Sequence, residues 1–169
     1  IGWMDDVLVV APDKKLYCEM ISTVLIVFGS GIMINSFLGL FNVYDIPYSL
    51  GVLITIFVFI TLINTYNLID GIDGLASGVG IIISLCFVYI FYRIFDYGIG
   101  ILAISTIAVL LGFLRYNLSK EFKIFMGDTG SMVIGFILTF MAIRFLYISE
   151  SSNLGLTTAP ALLLFIFVI

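Results

Sequence analysis

No histidine occurs in the sequence, which excludes a Cys/His metal cluster. Charge is scarce: 11% of residues are Asp, Glu, Lys or Arg, against about 25% in soluble domains. Seven Lys and Arg stand against eleven Asp and Glu, giving a net charge of −4 and no basic patch for nucleic acid. The two cysteines, Cys18 and Cys86, both lie in apolar runs and read as small core residues rather than a disulfide. No signal peptide is expected, and the sequence shows no internal repeat and no low-complexity tract.

What remains is hydrophobic. Apolar residues make up 62% of the chain, the composition of an integral membrane protein. Apolar runs occupy residues 16–34, 50–63, 75–95, 99–114 and 132–147, and a further run begins at Ala159. They lack strand-like alternation, and an open sheet edge cannot face lipid, so they read as helices. The expected architecture is an all-α polytopic transmembrane bundle with five full spans and a truncated sixth. It forms a single membrane domain over residues 1–169, with cytoplasmic loops at about 1–15, 64–75 and 115–131. The first residue is Ile1 and the last run is shorter than the roughly 20 residues a span needs, so the reading is of the interior of a longer protein.

Three polar stretches interrupt the runs. Asn67-Leu68-Ile69-Asp70-Gly71-Ile72-Asp73-Gly74-Leu75-Ala76 places an amide and two carboxylates at intervals of three, which on a helix would share one face. Gly2-Trp3-Met4-Asp5-Asp6 supplies an adjacent acidic pair, and Phe125-Met126-Gly127-Asp128-Thr129-Gly130-Ser131 supplies an aspartate at the start of a helix. An aspartate at the bilayer centre costs about 2.5–3.5 kcal/mol even on the lenient insertion scale, so such residues point to a polar pocket at the membrane edge. If each run crosses once, all three stretches lie on one face. Lys14, Lys15, Arg115, Lys120 and Lys123 share that face against Arg93 and Arg144 opposite, which makes it cytoplasmic by the positive-inside rule.

Each stretch also has a plainer reading. Asp5 and Asp6 could be a solvated helix end, and residues 67–74 an Asp/Gly turn. Asp128 or Ser131 could simply cap a helix, and Lys15 could be an ordinary positive flank. Taken together, carboxylates and amide oxygens are hard ligands suited to magnesium, and acidic groups tolerate phosphates only when a divalent cation bridges them. The set therefore fits magnesium-dependent phosphoryl transfer beside a membrane. The alternative is a cation-coupled transporter using Asp70 and Asp73 as relay groups, whose carboxylates would sit mid-span.

The three stretches, with Asn64-Thr65-Tyr66 before the second and Phe113-Leu114-Arg115-Tyr116-Asn117 before the third, occur in order. They resemble the polyprenyl-phosphate N-acetylhexosamine-1-phosphate transferases. That family takes in phospho-N-acetylmuramoyl-pentapeptide transferase and the undecaprenyl-phosphate N-acetylglucosamine-1-phosphate transferases. The resemblance implies transfer of a sugar 1-phosphate from a UDP-N-acetylhexosamine to polyprenyl phosphate with release of UMP. It also implies a multi-pass bacterial inner-membrane enzyme, a homodimer, in cell-envelope polysaccharide or peptidoglycan synthesis. By motif, Asp5 is the candidate catalytic base or nucleophile with Asp6 beside it. Asp128 and Asn67 are candidate ligands of Mg2+, with Mn2+ as substitute. Lys15, Asn67, Asp70, Asp73 and Asn117 are candidate substrate-binding residues.

The stretches around Asn67 and Phe113 favour N-acetylglucosamine over the muramoyl-pentapeptide. Two departures stand out: residues 117–123 lack the proline common before the family's Gly-Asp motif, and the late His-rich cytoplasmic motif is absent. A CDP-alcohol phosphatidyltransferase is rejected, because Asp73-Gly74-Leu75-Ala76-Ser77 lacks the arginine of that motif. The isolated chain is expected to be inactive.

Overall fold

The computed structural model describes residues 12–37 and 44–151. Its elements are α1 (Pro12–Ser30), α2 (Tyr48–Ile69), α3 (Leu75–Arg93), α4 (Tyr97–Asn117) and α5 (Gly127–Ser151), with no strand among the described residues. Among the described residues four helices, α2 to α5, are long and apolar enough to cross a membrane. The 22 residues of α2 reach about 33 Å at 1.5 Å per residue, enough for a hydrocarbon core of about 30 Å.

The expected first span is not continuous. Helix α1 stops at Ser30, and Asp13, Lys14, Lys15 and Glu19 crowd its first eight positions, so it is not among the four. Its end follows from local chemistry. Gly31 takes φ +66° and donates to Val27 O at 3.0 Å. Ser30 Oγ donates back to Ile26 O at 2.6 Å and accepts from Ile32 N–H at 3.2 Å. A left-handed glycine just past the last turn is the usual stop for a helix.

The expected loops also shrink, to residues 70–74 and 118–126. Asn64, Thr65 and Asn67 continue α2, while Arg115, Tyr116 and Asn117 complete α4. Hydropathy marks where lipid stops solvating a helix, and the backbone hydrogen bonds continue into the polar zone beyond it. Cys18 and Cys86 are free, as expected, but Cys86 is exposed on α3 rather than in the core. On a helix this apolar a thiol is accepted on either face.

The described residues divide into two compact units, one within residues 63–141 and the other within residues 12–62 and 142–151. In the second unit the segment after α1 is pinned to the start of α2. Thr55 Oγ1 donates to Gly51 O at 2.6 Å and accepts from Ile34 N–H at 2.9 Å, and Ile46 N–H donates to Asn35 O at 2.8 Å.

The first unit holds Asn67, Asp70, Asp73, Asn117 and Asp128. There α3 packs along α4 through a short turn, in which Phe95 adopts φ +60° and Asp96 N–H donates to Phe91 O at 3.0 Å. Tyr66 is buried in this unit. Its hydroxyl donates to Ala76 O at 2.8 Å, bridging the end of α2 to the start of α3. Two glycines make room for it. A Cβ on Gly80 would lie 2.6 Å from the Tyr66 hydroxyl and 2.7 Å from Leu110 Cδ1, and one on Gly135 would lie 3.1 Å from Tyr66 Cβ.

Candidate functional site

The site gathers where α2 ends, α3 begins and α5 begins, all within the first unit. Helix α2 stops at Ile69, and residues 70–74 form a turn with Gly74 at φ +75°. Asn67, Asp70 and Asp73 therefore do not line one face of a helix. Asn67 sits on the last turn of α2, and the two aspartates ride the turn beyond it. Asp70 N–H donates to Asn67 O at 3.2 Å, so the turn coils tightly after the helix.

Asp128 meets this group from α5. Gly127 takes φ +64° and opens the helix, which puts Asp128 in the first turn. Asn67 Nδ2 donates to Asp128 Oδ1 at 2.9 Å, joining residues 61 apart in sequence. Ser131 does not cap the helix: its hydroxyl donates back to Gly127 O at 2.9 Å. Asp70 lies close enough to feel the Asp128 charge. Burial, with Asp128 as the second cause, holds its carboxyl above the ordinary value of 3.8. Two carboxylates, one of them hydrogen-bonded by the Asn67 amide, form a hard-oxygen donor set.

The remaining members frame this centre. Asp73 accepts an ion pair from Lys123 Nζ at 2.6 Å, and Lys123 also lies 5.0 Å from the centroid of the Phe125 ring. Asn117 is buried at the end of α4. Its Oδ1 accepts from Gly74 N–H at 2.7 Å and its Nδ2 donates to Ile124 O at 2.9 Å.

Of the sequence-predicted residues, Asn67, Asp70, Asp73, Asn117 and Asp128 thus come together. Lys15 lies on α1 in the other unit, and Asp5 and Asp6 fall outside the described residues. No group of three or more acidic, His or Cys side chains arranged to hold a metal exists among the described residues. Magnesium usually takes one or two carboxylates and completes its shell with water and substrate phosphates, so the Asp70–Asp128 pair fits it. Tyr66, Gly80 and Gly135, which shape the floor of the site, escape a sequence reading, because nothing local marks a tyrosine whose partner is ten residues on.

A bundle of helices apolar enough to cross a membrane, gathering acidic and amide side chains at its polar end, defines a multi-pass membrane protein. Comparison with known proteins narrows the class. Residues 1–146 match glycosyl transferase family 4, and the chain belongs to that family. It is 34% identical over 147 residues to a phospho-N-acetylmuramoyl-pentapeptide-transferase of Clostridium botulinum, covering 80% of this chain and 44% of the relative. A protein of the same name from Staphylococcus epidermidis is 38% identical over 128 residues, covering 69% and 40%, and one from Streptococcus sanguinis 36% over 160 residues, covering 85% and 46%. The chain spans less than half the length of these curated relatives. No solved structure matches.

Proposed function

We propose that the protein transfers an N-acetylhexosamine 1-phosphate from a UDP-sugar to a polyprenyl phosphate, with UMP as the other product, on the cytoplasmic face of a bacterial inner membrane. The observation that carries this reading is the Asn67–Asp128 hydrogen bond with Asp70 beside it. It joins two of the motifs on which the family resemblance rests, at the polar end of the helices.

In this reading Asp128, Asp70 and Asn67 would hold a magnesium ion, which would supply charge neutralisation for the diphosphate and the leaving UMP. The chain's own residues do the rest. Asn67 fixes the Asp128 carboxylate by its hydrogen bond. The 70–74 turn brings Asp73 and the Lys123 ammonium to the rim, where an anionic donor docks. An oxygen of the lipid phosphate attacks the β-phosphorus of the UDP-sugar. The bond from that phosphorus to the bridging oxygen breaks, and UMP leaves with the electron pair. Asp5 takes the proton from the lipid phosphate, with Asp6 as its neighbour and Lys15 against a phosphate. Positioning and charge stabilisation supply most of the rate. A burst of UMP in the absence of lipid acceptor would replace this direct route with a covalent phospho-aspartate.

The favoured donor is UDP-N-acetylglucosamine. The second reading is UDP-N-acetylmuramoyl-pentapeptide, which the names of the relatives favour. The transporter reading is weakened because Asp70 and Asp73 lie in a turn after α2 and Asp128 in the first turn of α5, none of them mid-span.

The test uses the complete protein in membranes with undecaprenyl phosphate and each UDP-sugar in turn, following UMP with magnesium, with chelator and with Asp128→Asn. Magnesium-dependent UMP release that the variant loses supports the reaction and the metal site together. No release with any UDP-sugar from folded protein sinks the transferase reading.

A further inference from the structure

Asn117 is the last residue of α4 and only 5% exposed, and its carboxamide is committed in two directions. Toward α3 it accepts from the N–H of Gly74, the N-cap residue of that helix, at 2.7 Å. The close fit there is set by Leu118, whose Cδ2 would be 3.0 Å from a Cβ on Gly74. Toward α5 it donates to the carbonyl of Ile124 at 2.9 Å, on the chain segment that leads through Gly127 into Asp128. One buried side chain thus grips both the turn that carries Asp70 and Asp73 and the loop that delivers Asp128.

Asp70 rides the 70–74 turn, and Asp128 stands in the first turn of α5 at the end of the 118–126 loop, so the contacts between these segments set how the two carboxylates sit. The Asn67–Asp128 bond ties one side, and Lys123–Asp73 is an exposed ion pair at 38% and 46% relative exposure, of a kind worth about 0–1 kcal/mol and screened by salt. A hydrogen bond made by a buried group is not screened in that way.

We propose that Asn117 is a positioning residue rather than a substrate ligand: it fixes the separation of the 70–74 turn and the start of α5 so that Asp70 and Asp128 face one divalent cation. This rests on the reading of that pair as the metal–diphosphate site. The amide is required by its two opposite roles. Aspartate keeps the acceptor for Gly74 N–H but sets a carboxylate against the Ile124 carbonyl, and a shorter serine cannot reach both partners.

The test compares the complete wild-type protein with Asn117→Asp and Asn117→Ser in detergent or nanodiscs, by two readouts. The first is amide hydrogen exchange in residues 118–126, measured without metal or substrate. The second is the magnesium dependence of UMP release, with kcat and KM for the UDP-sugar determined separately. The loss of one buried hydrogen bond is expected to speed exchange in 118–126 and to raise the half-saturating magnesium by about tenfold in both variants. kcat should recover at high magnesium and KM should stay within about twofold. Serine is uncharged, so a folding defect specific to a buried carboxylate does not decide the outcome.

A raised KM with an unchanged magnesium requirement makes Asn117 a substrate ligand and overturns the proposal. So does exchange in 118–126 at the wild-type rate in both variants. Wild-type protein that shows no divalent-dependent UMP release sinks the transferase reading itself, and the exchange readout still reports whether the clasp exists.

Discussion

Gly80 offers the sharpest test of the packing beneath the site. Replacing it with alanine raises intrinsic helix propensity by about 0.8–1 kcal/mol, which on propensity alone predicts a more stable protein. The structure predicts the reverse. The new Cβ would stand 2.6 Å from the Tyr66 hydroxyl and 2.7 Å from Leu110 Cδ1, where ordinary contact begins at 3.4 Å. Leu110 can swing its tip aside. Tyr66 cannot move without releasing Ala76 O, a bond of 2.8 Å. Overpacking of a filled core costs about 1–3 kcal/mol, and an interhelical hydrogen bond in a membrane protein is worth about 0.6 kcal/mol. Set against the propensity gain, Gly80→Ala should destabilise by about 1–2 kcal/mol. Gly78, two residues earlier on the same helix, is the internal control: its Cβ would meet nothing within 4 Å. Gly78→Ala should therefore be neutral or stabilising by up to about 1 kcal/mol. Reversible unfolding of both variants in mixed micelles measures the difference. Equal effects, or a stabilised Gly80→Ala, would refute the Tyr66–Gly80 contact.

Three further outcomes follow from named geometry. The Asp70 carboxyl is held above 3.8 by burial and by Asp128, so the folded state binds its proton more tightly than the unfolded state does. Metal-free protein should thus lose stability as pH rises through that raised value. Asp70→Asn should flatten this part of the pH–stability curve, and an unchanged curve refutes the burial and the repulsion together. Lys123→Ala removes the 2.6 Å pair with Asp73; because both groups are exposed it should change stability by less than about 1 kcal/mol, with the difference vanishing at high salt. Phe95→Gly relieves a left-handed residue worth about 1–2 kcal/mol but gives up an edge-to-face contact worth about 0.5–1.5 kcal/mol, so its unfolding midpoint should stay near wild type. That contact is the one with Tyr97, at 6.1 Å between centroids, and a large shift in either direction would show that one of the two terms is misjudged.

Composition and apolar runs suffice to show a helical membrane bundle, because every span must satisfy its backbone internally and be apolar for about 20 residues. Helix ends are less legible. The apolar run of α2 stops at Ile63, while the helix continues through Asn64, Thr65 and Asn67 to Ile69. At the membrane edge either solvent accepts the side chains, so polarity changes before the backbone does. The first apolar run misleads for the opposite reason: Gly31 ends α1 while the sequence stays apolar through Ile34. At the site, the residue types and their spacing single out Asn67, Asp70, Asp73, Asn117 and Asp128. Their partners lie 43, 50 and 61 residues away in sequence, and no local rule selects a pairing over that distance. That is why Asn117 reads as a binding residue from its motif and as a clasp from its contacts.

The same contacts explain how like charges can be kept close without a cation bound. The turn of residues 70–74 is closed by Tyr66 to Ala76 O below it, by Asn117 to Gly74 N–H beside it and by Lys123 to Asp73 at its rim. Only the last is an exposed ionic contact, and at 0.15 M salt, with a Debye length of about 8 Å, it is the first to weaken. The other two are made by buried side chains and do not depend on ionic strength to first order. The turn is thus closed mainly by packing and neutral hydrogen bonds, and the Asp128 carboxylate itself accepts from Asn67 Nδ2. It follows that substitutions at Tyr66, Gly80 or Asn117 should alter divalent affinity even though none of the three is a ligand. Substitution at Lys123 should alter it little, and magnesium titrations of the four variants at low and high salt separate the two kinds of support.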